Sequence, residues 1–375
     1  MHNSFAKLDA VIAIAEGLDV MLLSDDELLV QFGTRSRPSE LFRDADLTGL
    51  LRCTIGRLSD EGPILLTELI SSVPENQRAD AVALMDDLLD RGIVTDLDRS
   101  PVEQYLSYTF IGENALARQS VSVIGAGPIG ARIAHSLLQH GVGRVVLLDD
   151  RKANQLWSSF MPLGLTPSKA QNGDASHAVR DWLSGAQCSG TVECLEAGMD
   201  SIGVETSVEK SELTVLALEE PNLRLAHLVN RFCIRERKPW MLASIDGNFG
   251  LVGPLFVPIH TACYNDYRAL ASAATPSIAM ARKHRQHLLR RQRGSFFPGL
   301  PSYAEIVAGH STVAAVHFLL RDTSFAVGRV LVIDFDTMTI DIENVLKLPR
   351  CPVCGAEKSS YRPVFGDALI SPDPG

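Results

Sequence analysis

The residues able to do chemistry in this chain gather around a glycine cluster near position 127 and a cysteine pair near position 352. Gly125-Ala126-Gly127-Pro128-Ile129-Gly130 fits the pattern G-x-G-x-x-G. In that pattern the first glycine permits a tight turn, the second lets backbone N–H groups approach a phosphate, and the third lets the following helix pack closely. The flanks agree with that use. Ser122-Val123-Ile124 reads as a buried strand, Ile129 to Gln139 as a helix, and Val145 to Leu148 as a second strand ending at Asp149. Asp149 follows Gly130 by 19 residues, where a strand-end carboxylate accepts hydrogen bonds from a ribose. Together these features read as a nucleotide site, although the loop itself does not choose the nucleotide.

Cys351-Pro352-Val353-Cys354-Gly355 is half of a zinc site: two thiolates on a tight turn, with a glycine that lets the backbone fold beneath the metal. Cys263 is the expected third ligand, and the position three residues after it holds Asp266, a harder donor than a second thiolate. The other reading of the pair is a reduced, metal-free turn. A further concentration of charge runs from Arg282-Lys283-His284-Arg285 through Arg290 and Arg291 to Arg293, six Lys/Arg in twelve positions with no acid. In a chain of net charge −10 that is a local positive field. It reads either as a solvated basic loop or as a contact for a triphosphate or an acidic peptide.

Elements that must position these groups follow from the rest of the pattern. With 375 residues the chain has room for two or three domains at roughly 150 residues each. Hydrophobic residues make up 46% and charged residues 21%, an ordinary folded composition. The acidic balance argues against a general nucleic-acid binder. No apolar run approaches the roughly 18 residues of a membrane-spanning helix, and no secretory signal pattern stands at the start, so a cytoplasmic protein without a membrane partner is expected. Seven scattered cysteines argue against a disulfide framework.

Residues 19–32 read as a hairpin around Ser24-Asp25-Asp26, followed by a helix near 45–58, a Gly62-Pro63 break, and a helix from Gln77 to Arg91. This is a winged-helix pattern, too acidic for DNA. A linker helix near 100–118 leads to the glycine loop. Beyond it come strands at Leu213 to Leu218, Trp240 to Ile245 and Leu251 to Val257, with a helix at 222–237 between the first two. A basic, partly irregular insertion at 275–300, a helix at 303–320 and a hairpin of Gly328 to Asp334 with Met338 to Ile342 complete an α/β sheet.

Added to the glycine loop are Thr166-Pro167-Ser168-Lys169-Ala170, Lys238-Pro239-Trp240, Gly253-Pro254-Leu255-Phe256-Val257-Pro258, Thr261-Ala262-Cys263 and Leu348-Pro349-Arg350-Cys351-Pro352-Val353-Cys354-Gly355. With these motifs, residues 100–360 resemble the ThiF-like, ubiquitin-activating-enzyme-like proteins that mature ribosomally made peptides. The resemblance implies a Rossmann-like ThiF adenylation domain at 99–375, preceded at 1–98 by a winged-helix-like RiPP recognition element that binds the leader of a precursor peptide by strand addition. It implies ATP and magnesium as cofactors, a homodimer, and attack of a substrate carboxylate on the α-phosphate.

On that resemblance Gly125, Gly127 and Gly130 hold phosphate, Asp149 the ribose, Lys169 the phosphates, and Glu219 or Glu220 the magnesium, one methylene longer than the aspartate of relatives. The family's arginines before the loop and after the second strand are missing, since residues 104–108 read Gln-Tyr-Leu-Ser-Tyr and no arginine lies between Arg151 and Lys169. Arg290 and Arg291 are the candidate replacements. The activity expected is ATP-dependent activation of a peptide carboxylate or amide, with Glu–Glu condensation among its outcomes. The alternatives are a non-catalytic leader-binding scaffold for a partner cyclodehydratase and an NAD-dependent oxidoreductase. Against the last stands the lack of a Gly-His-Glu metal motif in residues 1–119.

Overall fold

A computed structural model describes residues 9–33, 35, 40–110, 115–153, 173–186, 188, 190–219, 222–274, 277–290 and 300–355. The chain divides into two units, residues 1–115 and 116–375.

In the first unit, alternation of apolar and polar residues builds an antiparallel meander of β2 (Leu18–Ser24), β3 (Glu27–Phe32) and β4 (Glu40–Arg43), turning at the expected Ser24-Asp25-Asp26. Leu28 and Val30 of β3 point inward and are fully buried, as a period of two requires. A second small sheet pairs β1 (Val11–Ile14) with β5 (Ile64–Leu65) and β6 (Val94–Asp96). Three helices, α1 (Arg57–Glu61), α2 (Leu66–Ser72) and α3 (Arg78–Asp90), complete the core, α3 contributing Ala81, Met85 and Leu88. The following helix α4 (Pro101–Phe110) belongs to this unit, where Tyr105 and Tyr108 each stand 5.8 Å from the Phe32 ring.

The second unit is one eight-stranded sheet in the order β14-β13-β12-β11-β10-β7-β8-β9. Its parallel part consists of β7 (Ser120–Ile124), β8 (Arg144–Leu148), β9 (Thr191–Cys194), β10 (Leu213–Leu218) and β11 (Trp240–Asp246). Every residue of β7 and β10 is buried, because helices cover both faces of a parallel sheet and leave no polar side. β12 (Phe249–Phe256), β13 (Arg329–Asp334) and β14 (Thr339–Asn344) extend it antiparallel.

Helix α5 (Pro128–Gln139) begins with proline in its first turn, and α6 (Ala175–Leu183), α7 (Ser201–Glu209) and α8 (Leu223–Glu236) follow. Next come α9 (Tyr264–Ala273), α10 (Ile278–Arg290) and α11 (Pro301–Arg321). The start of the basic insertion is therefore helical. By length and composition α11 could cross a membrane, yet half of its most apolar window is buried here, and it packs on α5, β11 and β12.

Strand order decides where a ligand sits. The chain winds from β7 to β8 and β9 on one side, then returns to place β10 on the other side of β7. The crevice of such a sheet opens at this reversal, at the carboxyl ends of β7 and β10. A Cβ at Gly130 would lie 1.8 Å from the Gly125 carbonyl oxygen, so α5 approaches β7 as closely as it does through this glycine. Gly130→Ala is therefore expected to destabilise the second unit by about 1–3 kcal/mol, measurable as a lower midpoint in chemical denaturation of the full chain.

Candidate functional site

Backbone constraint comes first at the crevice. Gly125 has φ +96°, and a Cβ there would lie 2.0 Å from the carbonyl oxygen of Ala217 in β10. A Cβ at Gly127 would lie 2.5 Å from a carboxylate oxygen of Glu219. Close approach at the second glycine is thus used, in this structure, by a side chain of the protein itself.

Glu219 stands directly after β10, and its Oε1 accepts a hydrogen bond from the Ile129 N–H at 3.1 Å, in the first turn of α5. Its Oε2 is buried without a hydrogen-bond partner among the described residues and lies 3.8 Å from Nη1 of Arg151. Burial pushes the Glu219 carboxyl above its ordinary 4.5, with the Arg151 charge opposing. The Glu219 carboxyl thus caps the N-terminus of α5, where the helix dipole favours negative charge.

Asp149 is 1% exposed and saturated. Ala126 N–H donates to Oδ2 (2.7 Å), and Arg151 donates through Nη2 to Oδ2 (2.7 Å), through Nε to Oδ1 (2.9 Å) and through its backbone N–H to Oδ1 (3.0 Å). These bonds use the roughly four lone-pair positions of a carboxylate. Three of these four bonds come from Arg151, so Arg151 is built into the crevice beside Asp149. Sequence reading passed over it, although an arginine two residues beyond a strand-end aspartate was the available signal.

Gly125, Gly127, Gly130, Asp149 and Glu219 are brought together as the sequence proposed. Lys169, Glu220, Arg291 and Arg293 lie outside the described residues, and of Arg290 the backbone is described, as the last residue of α10.

The cysteine pair has found its partners. Ligand atoms of Cys263, Asp266, Cys351 and Cys354 all lie within 4.8 Å of one another. Cys263 Sγ and Cys351 Sγ are 3.6 Å apart, too far for a disulfide bond and close to the roughly 3.8 Å between two thiolates at about 2.3 Å from a tetrahedral zinc. Cys354 Sγ donates to Asp266 Oδ2 at 3.1 Å, and Asp266 Oδ1 is buried without a hydrogen-bond partner. Gly355 performs the expected task, since a Cβ there would lie 2.5 Å from the Cys351 carbonyl oxygen.

Burial drives the Asp266 carboxyl up to about 6, and the hydrogen bond between Cys263 and Cys351 raises the first thiol and lowers the second. So crowded a set of thiol and carboxyl groups suits a cation. The residues fit a zinc ion held by Cys263, Asp266, Cys351 and Cys354, a bond network that would tie the start of α9 to the segment after β14.

Residues 104–355 match the ThiF family. The chain belongs to that family. Ubiquitin-like modifier-activating enzyme 5 of Rattus norvegicus is 28% identical over 232 residues, 58% of this chain and 54% of the relative. Its Caenorhabditis briggsae counterpart is 24% identical over 233 residues, again 58% of this chain and 50% of the relative. The chain thus spans about half the length of the curated relatives it matches. Among solved structures, E. coli MccB with ATP superposes with a TM-score of 0.60 at 16% identity, covering 92% of this chain and 100% of MccB. The heterocyclase TruD superposes with a TM-score of 0.56 at 15% identity, over 92% of this chain and 43% of TruD. These likenesses establish a ThiF Rossmann-like α/β fold with a small β-rich N-terminal unit.

Two outcomes follow from the ThiF site. Raising the folded pKa of Glu219 means that the native state holds a proton the unfolded chain has released, so stability declines as pH rises above about 4.5. Glu219→Gln removes this decline, and its denaturation midpoint should exceed that of the parent at neutral pH and converge with it in acid. For the cysteine cluster, elemental analysis should find about one zinc per chain, because ligation couples metal binding to folding. Cys351→Ser should lose that zinc and unfold at a lower temperature.

Proposed function

We propose that this protein uses ATP to activate a carboxylate, or an amide, of a ribosomally made peptide. The observation that carries the reading is Glu219. Its unpartnered Oε2 and the Arg151 guanidinium face the glycine loop together, one able to hold a cation and the other able to take negative charge. In an adenylation the substrate carboxylate oxygen attacks the α-phosphorus, the bond to the β-phosphate oxygen breaks, and an acyl adenylate and pyrophosphate result. Magnesium would be held by Glu219 or Glu220, and would screen the charge of the phosphates. Lys169 adds a point charge, and Arg290 and Arg291 stand in for the missing family arginines. Asp149 orients the ribose once Arg151 turns from it towards phosphate.

A peptide substrate is supported by MccB structures solved with MccA, including the microcin C7 biosynthetic enzyme with N-formylated MccA. In this reading residues 1–98 bind the leader. Among the described residues the outer edge of β4 pairs with no strand, and Arg91 at the end of α3 reaches across to Glu40 (3.3 Å) and over the Phe42 ring (5.5 Å), so strand and helix end lie side by side. In this reading, as the sequence resemblance implies, the protein works as a homodimer in the cytoplasm. A non-catalytic scaffold is favoured by one observation, the complete engagement of Asp149 by Ala126 and Arg151.

Pyrophosphate exchange into ATP, measured with candidate precursor peptides encoded beside the gene, separates the readings. Exchange that depends on peptide is expected, and Arg151→Ala should reduce it by about a hundredfold, in line with loss of one charge-stabilising donor. Tight binding of NAD with none of ATP, by calorimetry, would overturn the proposal.

A further inference from the structure

One strand over from the glycine loop lies a small cavity of about 50 Å³ that the proposed chemistry has not used. It opens at the carboxyl ends of β10 and β11, where Leu218 and Ser244 are register partners, and is roofed by α9. Leu218 immediately precedes Glu219, so the cavity adjoins the nucleotide crevice. Its polar groups are Ser244, Asn222, Arg268 and Asp246, and its walls include Tyr264 and Tyr267.

Three features make it a built site. Arg268 is half-buried, yet its guanidinium forms no ion pair with any described carboxylate. Ser244 is 3% exposed, and its hydroxyl has no hydrogen-bond partner among the described residues. Asn222 spends its Oδ1 on the Leu225 N–H at 3.1 Å, which leaves its amide N–H₂ to donate elsewhere. The unspent groups are thus mostly donors, around a charge that burial makes costly without an anion. Burial and the neighbouring Tyr264 push the Tyr267 hydroxyl up to about 12, which keeps it a neutral donor. Asp246, at the rim, is solvent-exposed and therefore screened.

Size narrows the ligand further. One water needs roughly 10–15 Å³ on this measure, so the cavity takes three or four heavy atoms, a carboxylate with little stem and far less than a base or a sugar. We propose that this cavity is a subsite for a carboxylate of the substrate, an aspartate or glutamate side chain or the reacting carboxyl itself, gripped by Arg268 with Ser244 and Asn222. The inference rests on the adenylation reading for its neighbour, the nucleotide, and not for its preference for carboxylates.

The test titrates the full chain with N-acetyl-glutamate α-amide and with its glutamine counterpart, with and without Mg-ATP, followed by NMR. The glutamate probe is expected to bind at least tenfold more tightly without nucleotide. Arg268→Gln should abolish that preference, Arg268→Lys should keep part of it, and both should bind ATP as the parent does. Equal affinity for the two probes, a preference that survives Arg268→Gln, or no binding of either by 20 mM (roughly −2.3 kcal/mol) overturns the subsite. Pyrophosphate exchange supported by the glutamate probe assigns the cavity to the reacting carboxyl, and binding without exchange assigns it to a neighbouring acidic residue. A glutamate preference in a protein that fails to bind ATP would sink the adenylation reading and leave the subsite standing.

Discussion

The approach of α5 to the ends of β7 and β10 constrains everything around the crevice. Gly125 leaves no space beside Ala217, Gly127 none beside Glu219, and Gly130 none beside the Gly125 carbonyl. A helix N-terminus held this tightly presents its N–H groups and positive dipole end to one small volume. Two acids answer it, Asp149 through Ala126 N–H and Glu219 through Ile129 N–H. Arg151 then balances both, bonded to the first and 3.8 Å from the second. The site is closed electrostatically by its own side chains, so in the adenylation reading a polyanion would enter by exchanging partners with them.

Exchange has a direction set by burial. Asp149 keeps a full complement of hydrogen bonds, whereas Glu219 has one oxygen satisfied and one not. The weaker partner moves first. A carboxylate one methylene longer than aspartate has the reach to leave the helix N-terminus for a cation while its backbone stays fixed after β10. In the same rearrangement Arg151 would exchange its neighbour Glu219 for phosphate.

How much of this was legible in the sequence depended on range. Strands β7, β8, β10 and β11, helix α5 and the late hairpin announced themselves, because glycine spacing and unbroken apolar runs are local signals. The strand β9, Thr-Val-Glu-Cys, has an exposed first residue and no apolar run, and it was missed with the helices α6 and α7 that flank it. Asp149 was placed by counting from Gly130, whereas Arg151 was not, since its role lies in a fork to a neighbour that spacing does not encode. Asp266 was noted as a poor match for a thiolate. Folding shows the reason for attention to it: Cys263 and Cys351 are 88 positions apart and meet around that carboxylate. Residue types alone also left the Ser244 and Arg268 cavity invisible, because its groups come from β11 and α9 and share no motif.

The cysteine cluster and this cavity are mechanically one device. Cys263 precedes α9, and its backbone N–H donates to Asp266 Oδ2 at 3.0 Å, fixing the first turn of that helix. Tyr264, Tyr267 and Arg268 follow within a turn and a half, so the orientation of the guanidinium is inherited from the cluster. Tyr264 is further locked by Trp240, Phe256 and His227, whose rings lie 5.0 to 6.3 Å away. A metal held by Cys263, Asp266, Cys351 and Cys354 would therefore do more than tie down the segment after β14. It would set the start of the helix whose next residues line the cavity, while the glycine loop shapes the neighbouring crevice, and β10 joins the two through consecutive residues, Leu218 in the cavity wall and Glu219 at the loop.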